Sequence, residues 1–219
     1  MSETNFYNLL LESKRYEYDE VYTFLFSTSQ PIPFKAGQWA HVGFLSEGKD
    51  KTNEHNLSFA SAPADPYVEF SVDLASGSEY KQLLAALVPG DNMKAFKING
   101  EFVVNPSAQS EIVFLSGGIG ITPVRSIIRD IRQRQLQVNW SLLHVARTGF
   151  LYEEELSKLP NAQWRVNHQG VDDVWDNIIQ KPDDTRYYLS GSERFVEAMK
   201  EKLMYSDISS GQIITESFL

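Results

Sequence analysis

The 219-residue chain contains no cysteine, which removes disulfides, Cys-ligated structural zinc and any Cys-ligated iron–sulfur cluster from its own chemistry. It has no apolar run near the ~20 residues needed to span a bilayer. The start, Met1 to Glu20, holds a short apolar patch but no basic region and no small-residue cleavage site. No secretory signal is expected there, and the cytoplasm is the default compartment. Positive charge is scarce: 20 Lys and Arg against 29 Asp and Glu give a formal net charge of −9, which argues against nucleic acid as a general partner. The four histidines, His41, His55, His144 and His168, share no short ligand spacing, so no metal site is expected. Gly191-Ser192-Glu193 lacks the pattern of a nucleophile elbow, and Gly117 to Pro123 lacks the Lys-Ser/Thr of a P-loop. There is no internal repeat and no low-complexity segment.

What is present centres on Glu111 to Pro123, EIVFLSGGIGITP. The apolar run Ile112 to Leu115 reads as a buried strand, and Val124, Ile127, Ile128 and Ile131 recur at helical spacing beyond the glycines. Thr122 suits an N-cap and Pro123 the first helical position. Such a turn aims unpaired N–H groups and a positive helix end at its occupant, for which a phosphate is suited. The bland alternative is a tight strand-to-helix connection. On the following helix Arg125, Arg129 and Arg132 share a face, with Arg134 close by. That face is read as solvated, or as a docking patch for an acidic redox partner.

The first hundred residues read as β structure, with short aromatic and β-branched runs at 9–11, 21–26, 39–44, 57–60 and 67–72. Breakers separate them at 30–33, 36–38, 47–50 and 63–66, which suggests a small antiparallel barrel or sandwich. Tyr80, Leu83, Leu84 and Leu87 mark one helix between Gly77-Ser78 and Pro89-Gly90, and a strand pair is expected over 92–104. Asn105 to Ser110 reads as a linker. Strand and helix then alternate to the C-terminus, the pattern of a parallel sheet with helices on both faces.

Six motifs in order resemble the ferredoxin–NADP reductase superfamily, in particular its stand-alone flavin reductases, over nearly the whole chain. They are Phe34-Lys35-Ala36-Gly37-Gln38-Trp39, His55-Asn56-Leu57-Ser58-Phe59-Ala60-Ser61, Gly77-Ser78-Glu79-Tyr80 with Pro89-Gly90-Asp91, Gly117 to Pro123, Tyr188-Leu189-Ser190-Gly191-Ser192, and Thr215-Glu216-Ser217-Phe218. The resemblance implies an FAD-binding antiparallel β-barrel over 1–105 and an NAD(P)-binding α/β domain over 111–219. Hydride would pass from NADH or NADPH to FAD in the cleft between them, and electrons onward to a redox protein, free flavin or a ferric chelate. In that picture Ser58, Ser190 and Glu216 are the catalytic group. His55, Asn56, Leu57, Ser58, Phe59, Gly77 and Ser78 hold flavin. Gly117, Gly118, Gly120, Thr122, Pro123, Arg147 and Gly191 hold the pyridine nucleotide, and Phe218 covers the flavin.

Departures from the family pattern fall at functional positions. His55 stands where the family has an arginine on the flavin diphosphate, Leu57 where it has an aromatic, and Ser190 where many relatives have cysteine. Imidazole near its reference pKa of roughly 6.5 is mostly neutral at pH 7, unlike guanidinium. No acidic residue ends the second strand of the α/β half; Arg147 stands near its end, to pair with a 2′-phosphate, or else to lie over adenine or in solvent. The alternative reading is a flavin- or nucleotide-binding regulatory or electron-transfer subunit with little turnover.

Overall fold

A computed structural model describes residues 5–44, 53–105, 111–166 and 170–218. The predicted breaker at 47–50, the linker residues 106–110 and His168 lie outside them. The chain divides into two compact units, one of Met1–Val103 with Arg125–Gln133 and one of Val104–Val124 with Arg134–Leu219.

In the first unit β1 (Phe6–Tyr18), β2 (Val21–Thr28), β3 (Trp39–Phe44), β4 (Asn53–Ser58), β5 (Val68–Asp73) and β6 (Asn92–Asn99) form one sheet. Its order is β4-β3-β6-β1-β2-β5, with antiparallel neighbours throughout. The sheet curls as a half-barrel, and among the described residues no ladder joins β4 to β5. Alternation builds its interior: Tyr7, Leu9 and Leu11 of β1 point inward, while Phe6, Asn8 and Leu10 point out. Phe24, Phe26, Val42, Phe59, Phe70, Met93 and Ala95 complete that core. Helix α1 (Glu79–Ala86) is capped by Ser78, whose hydroxyl accepts from the Lys81 N–H, and buries Tyr80 and Leu84 in the same core.

The strand pair expected over 92–104 is a single strand, β6. Lys97 and Gly100 take positive φ, and the chain beyond packs across the 36–38 turn instead of pairing. A Cβ on Gly37, itself at φ +95°, would lie 1.9 Å from the Phe102 carbonyl oxygen. Only glycine admits that approach.

The second unit holds a five-stranded parallel sheet. β7 (Glu111–Gly117) leads through a 3₁₀ turn (Gly118–Gly120) into α2 (Ile121–Gln133). Then come β8 (Asn139–Ala146), α3 (Glu153–Leu156), β9 (Ala162–Val166), α4 (Val171–Ile179), β10 (Arg186–Ser192), α5 (Glu193–Tyr205) and β11 (Ile213–Phe218). The order is β11-β10-β7-β8-β9. Val113, Leu115, Leu143, Val145, Tyr187 and Leu189 pack on one face against Val174, Trp175 and Ile178 of α4 and Phe195, Val196 and Met199 of α5. Phe114 and Tyr188, from alternate positions of β7 and β10, pair their rings at 5.7 Å.

Two expectations for α2 are corrected. The 3₁₀ turn runs straight into the helix, so Thr122 lies inside the first turn and donates its hydroxyl to the Ile119 carbonyl at 3.0 Å instead of capping. Pro123 is correspondingly the third helical residue. Arg125 is buried and belongs to no solvated face. Its Nη1 donates to the Ala60 carbonyl at 3.0 Å and to the Glu69 carboxylate. Arg129 pairs with both carboxylate oxygens of Asp65 at 2.9 Å, and Ser126 donates to the Ser61 carbonyl at 2.7 Å. Of the three predicted docking arginines only Arg132 is exposed.

Candidate functional site

In the first unit the candidate flavin residues lie on β4, on the segment after it and at the start of α1. His55 and Asn56 are exposed, Leu57 is half-buried against the core, and Ser58 is 6% exposed. The Ser58 hydroxyl has no hydrogen-bond partner among the described residues. Phe59 is wholly buried, its ring stacked on Phe34 at 3.8 Å and its N–H bonded to the Gln38 carbonyl. The segment is held from several sides. Ala60 N–H donates to the Glu69 carbonyl, the Ala60 carbonyl accepts from Arg125, and the Ser61 hydroxyl accepts from Glu69 N–H.

At α1, Gly77 takes φ +60° and a Cβ there would meet no atom within 4 Å, so the backbone beside Ser78 faces open space. The His55 ring lies 4.8 Å from the Tyr80 ring, which joins β4 to the start of the helix. Burial, and then the Lys81 ammonium, push the His55 imidazole below its usual range. Sequence reasoning missed Lys81; its signal was a cation in the first turn of the helix that follows Gly77-Ser78. The Tyr80 hydroxyl is buried without a partner among the described residues, and burial pushes its pKa up.

In the second unit the structure brings Gly117, Gly118, Gly120, Ser190, Gly191 and Glu216 together at the carboxyl ends of β7, β10 and β11, where ligands of open parallel sheets bind. The glycines differ in what they permit. A Cβ on Gly120 would lie 2.3 Å from the Ser190 carbonyl oxygen, and one on Gly117 would enter the Phe195 ring at 2.6 Å. These two serve packing within the protein. Gly118, at φ +54°, has nothing within 4 Å of that point, which leaves its backbone open to a ligand. Gly191 abuts Phe195 and Gly117, and Ser192 next to it caps α5 by accepting from Phe195 N–H.

Ser190 is fully buried and its hydroxyl also lacks a partner among the described residues. Its ladder partner Glu216 is half-buried, and burial pushes the carboxyl up to about 7. Phe218 is half-buried at the end of β11, and Arg147 is exposed just past β8. Thr122 and Pro123 are buried in the first turn of α2. Among the described residues no three His, Cys, Asp or Glu side chains gather as metal ligands, and no helix is long and apolar enough to cross a membrane.

The donor set fits a flavin and a pyridine nucleotide. A buried hydroxyl left unpaired costs about 1–3 kcal/mol, and the two that stand at the predicted reacting positions, Ser58 and Ser190, are both unpaired. Gly77 and Gly118 expose backbone where a phosphate group would approach a helix start.

No protein-family model matches the chain. It is 24% identical over 193 residues to the flavohemoprotein of Bacillus subtilis (strain 168), covering 78% of this chain and 48% of that protein. Against ferredoxin–NADP reductase B of Sorangium cellulosum (strain So ce56) it is 27% identical over 139 residues, 62% of this chain and 56% of the other. The chain thus spans about half the length of these curated relatives. Its fold superposes on a ferredoxin NADP+ reductase from Neisseria gonorrhoeae with bound FAD and NADP at a TM-score of 0.81 and 20% identity, over 98% of this chain and 99% of that one.

Proposed function

We propose that this chain, which has the fold of the ferredoxin–NADP reductase-like FAD/NAD-binding domains, is an NAD(P)H-dependent flavin oxidoreductase. FAD is held by a domain over 1–105 and NADH or NADPH by a domain over 111–219. When bound, the nicotinamide supplies a hydride, and the flavin accepts it and releases electrons singly or in pairs. The observation that carries this reading is the pair of buried, unpaired hydroxyls on Ser58 and Ser190.

Ser58 donates a hydrogen bond to the flavin ring and sets its position, held by the clamp that Arg125, Ser126 and Glu69 place on the following residues. Leu57 offers the ring an aliphatic surface. Ser78, the open backbone at Gly77 and the cation of Lys81 receive the flavin phosphates beside His55. The open backbone at Gly118 receives the coenzyme pyrophosphate, and Arg147 meets the adenosine end. Ser190 orients the nicotinamide, and Glu216, whose carboxyl burial pushes up to about 7, can hold or release a proton beside it near neutral pH. Phe218 covers the flavin. The acceptor is a separate redox protein, free flavin or a ferric chelate. A cytoplasmic setting belongs to this reading.

The test is the visible spectrum of the purified protein, with any co-purified cofactor identified by mass, followed by anaerobic titration with NADH and NADPH. Flavin bands that bleach on addition of either coenzyme support the enzyme. A colourless protein that neither binds added FAD nor oxidises either coenzyme overturns it.

A further inference from the structure

The parallel ladders carry one register position across four strands: Glu216 on β11, Ser190 on β10, Ser116 on β7 and His144 on β8 are successive partners. Two neighbours in this row are bonded to each other. Ser116 Oγ and His144 Nδ1 share a hydrogen bond of 2.7 Å, and both residues are completely buried. Ser116 immediately precedes the Gly117-Gly118-Ile119-Gly120 turn. His144 stands three residues ahead of Arg147, and its ring meets Phe150 edge-on at 5.6 Å, on the far side of Arg147-Thr148-Gly149. One imidazole therefore joins the start of the glycine turn to both ends of the segment that carries Arg147.

Packing alone does not call for an imidazole here, since leucine or phenylalanine would fill the space without needing a polar partner. Burial holds the His144 ring down to about 3, so it stays neutral near pH 7 and the tie does not switch there. The glycine turn would hold a phosphate through backbone N–H groups, whose position is set by the strand. Arg147 is long, exposed and on a loop, so its usefulness depends on where that loop is fixed. A bidentate guanidinium–phosphate contact tolerates little displacement.

We propose that His144, through Ser116 and Phe150, is a positioning residue that fixes the Arg147 segment relative to the glycine turn and so favours dinucleotides with a 2′-phosphate on the adenosine ribose. The proposal rests on reading this unit as the pyridine-nucleotide site.

Calorimetric binding of NADP+, NAD+ and 2′,5′-ADP to the flavin-loaded protein tests it in wild type, Ser116→Ala, His144→Leu, His144→Asn and the double variant S116A/H144L. Asparagine can accept from or donate to the Ser116 hydroxyl near the place of Nδ1, whichever role the ring nitrogen takes. Loss of the tie is expected to weaken NADP+ and 2′,5′-ADP about fivefold, the worth of one hydrogen bond, with NAD+ changed less. H144N should recover most of the loss, and the double variant should be no worse than H144L, because both remove one interaction. If H144L folds poorly, S116A carries the measurement, since it loses only a hydroxyl. Unchanged NADP+ binding in S116A, or equal losses for NAD+ and NADP+ that H144N does not restore, would overturn the positioning role. A wild type that binds neither coenzyme would overturn the nucleotide-site reading itself, a result distinguishable from the other two.

Discussion

Ser190 and Glu216 are partners in the parallel ladder between β10 and β11, a fully buried hydroxyl opposite a carboxyl that burial pushes up to about 7. The folded state therefore binds this proton more tightly than the unfolded chain, whose carboxyl titrates near 4.5. The resulting stabilisation is complete below 4.5 and is lost as pH rises through about 7. Glu216→Gln is expected to flatten the pH dependence of the melting temperature across that window. At pH 8 it should melt slightly higher than wild type, by on the order of a degree or two, since the half-exposed carboxylate is partly screened. Melting curves from pH 4 to 8 decide it, and identical profiles would count against a raised Glu216.

Ser58→Ala and Ser190→Ala separate stability from function. Neither hydroxyl has a partner among the described residues, so its removal leaves nothing unpaired behind. The melting temperature of the ligand-free protein should hold or rise. Reduction of bound flavin by NAD(P)H should slow by roughly ten- to a hundredfold, as when one positioned hydrogen bond is lost at a reacting centre. Stopped-flow reduction beside thermal melts measures both. A marked loss of stability without a loss of rate would mark these serines as structural.

The glycines of the turn make a sharper comparison. Gly120→Ala drives a methyl toward the Ser190 carbonyl, backbone against backbone, and should destabilise by about 1–3 kcal/mol or more. Gly118→Ala enters open space and carries only the strain of φ +54°, about 1–2 kcal/mol. The Gly118 variant should nevertheless lose more coenzyme affinity per unit of stability lost. Urea denaturation and coenzyme titration on both proteins give the ratio, and equal ratios would show that Gly118 does not face the ligand.

These glycines also show how far the sequence could be read. Alternation of apolar strands with helix-period segments made the parallel sheet legible, because each segment's pattern is local. The same holds for the helix expected after Gly77-Ser78, whose start follows from its neighbours. Arg125 was not legible, since a buried cation on the face opposite Val124 and Ile128 has the same spacing as a solvated one. Its partner Glu69 lies 56 residues away. The Ser116–His144 bond likewise depends on strand register across a crossover. Thr122 misled because a 3₁₀ turn moved the helix start back to Ile121, which changed a cap acceptor into a donor.

Arg125 therefore carries a prediction about stability, not docking. Its charge is buried beside a Glu69 carboxylate that is only 16% exposed. Arg125→Met leaves that carboxylate and the Ala60 carbonyl without the guanidinium, a change that costs about 3–5 kcal/mol for a buried pair. Pairing it with Glu69→Leu should recover part of the loss, because the second change removes the stranded charge. Urea midpoints for the single and double variants measure the coupling. Equal stability of R125M and wild type would show the pair to be energetically idle.

His55 offers the most direct test of how flavin is held. Burial first and Lys81 second lower its pKa below 6.5, so in the flavin-free protein the ring is neutral at pH 7. The folded state binds this proton less tightly than the unfolded chain, so the ring's contribution to stability is lost as pH falls through that lowered value. A diphosphate beside the ring acts in the opposite sense and favours its protonation. FAD affinity should therefore rise as pH falls below 6.5 and change little above 7. Lys81→Met should raise the His55 pKa while weakening FAD. His55→Arg should tighten FAD at pH 8, where the native imidazole contributes no charge. NMR titration of the imidazole with and without FAD, together with flavin dissociation constants from pH 5.5 to 8, tests all three. A His55 pKa that FAD leaves unmoved, with affinity flat across the range, would assign the phosphates to Ser78, Lys81 and the start of α1 alone.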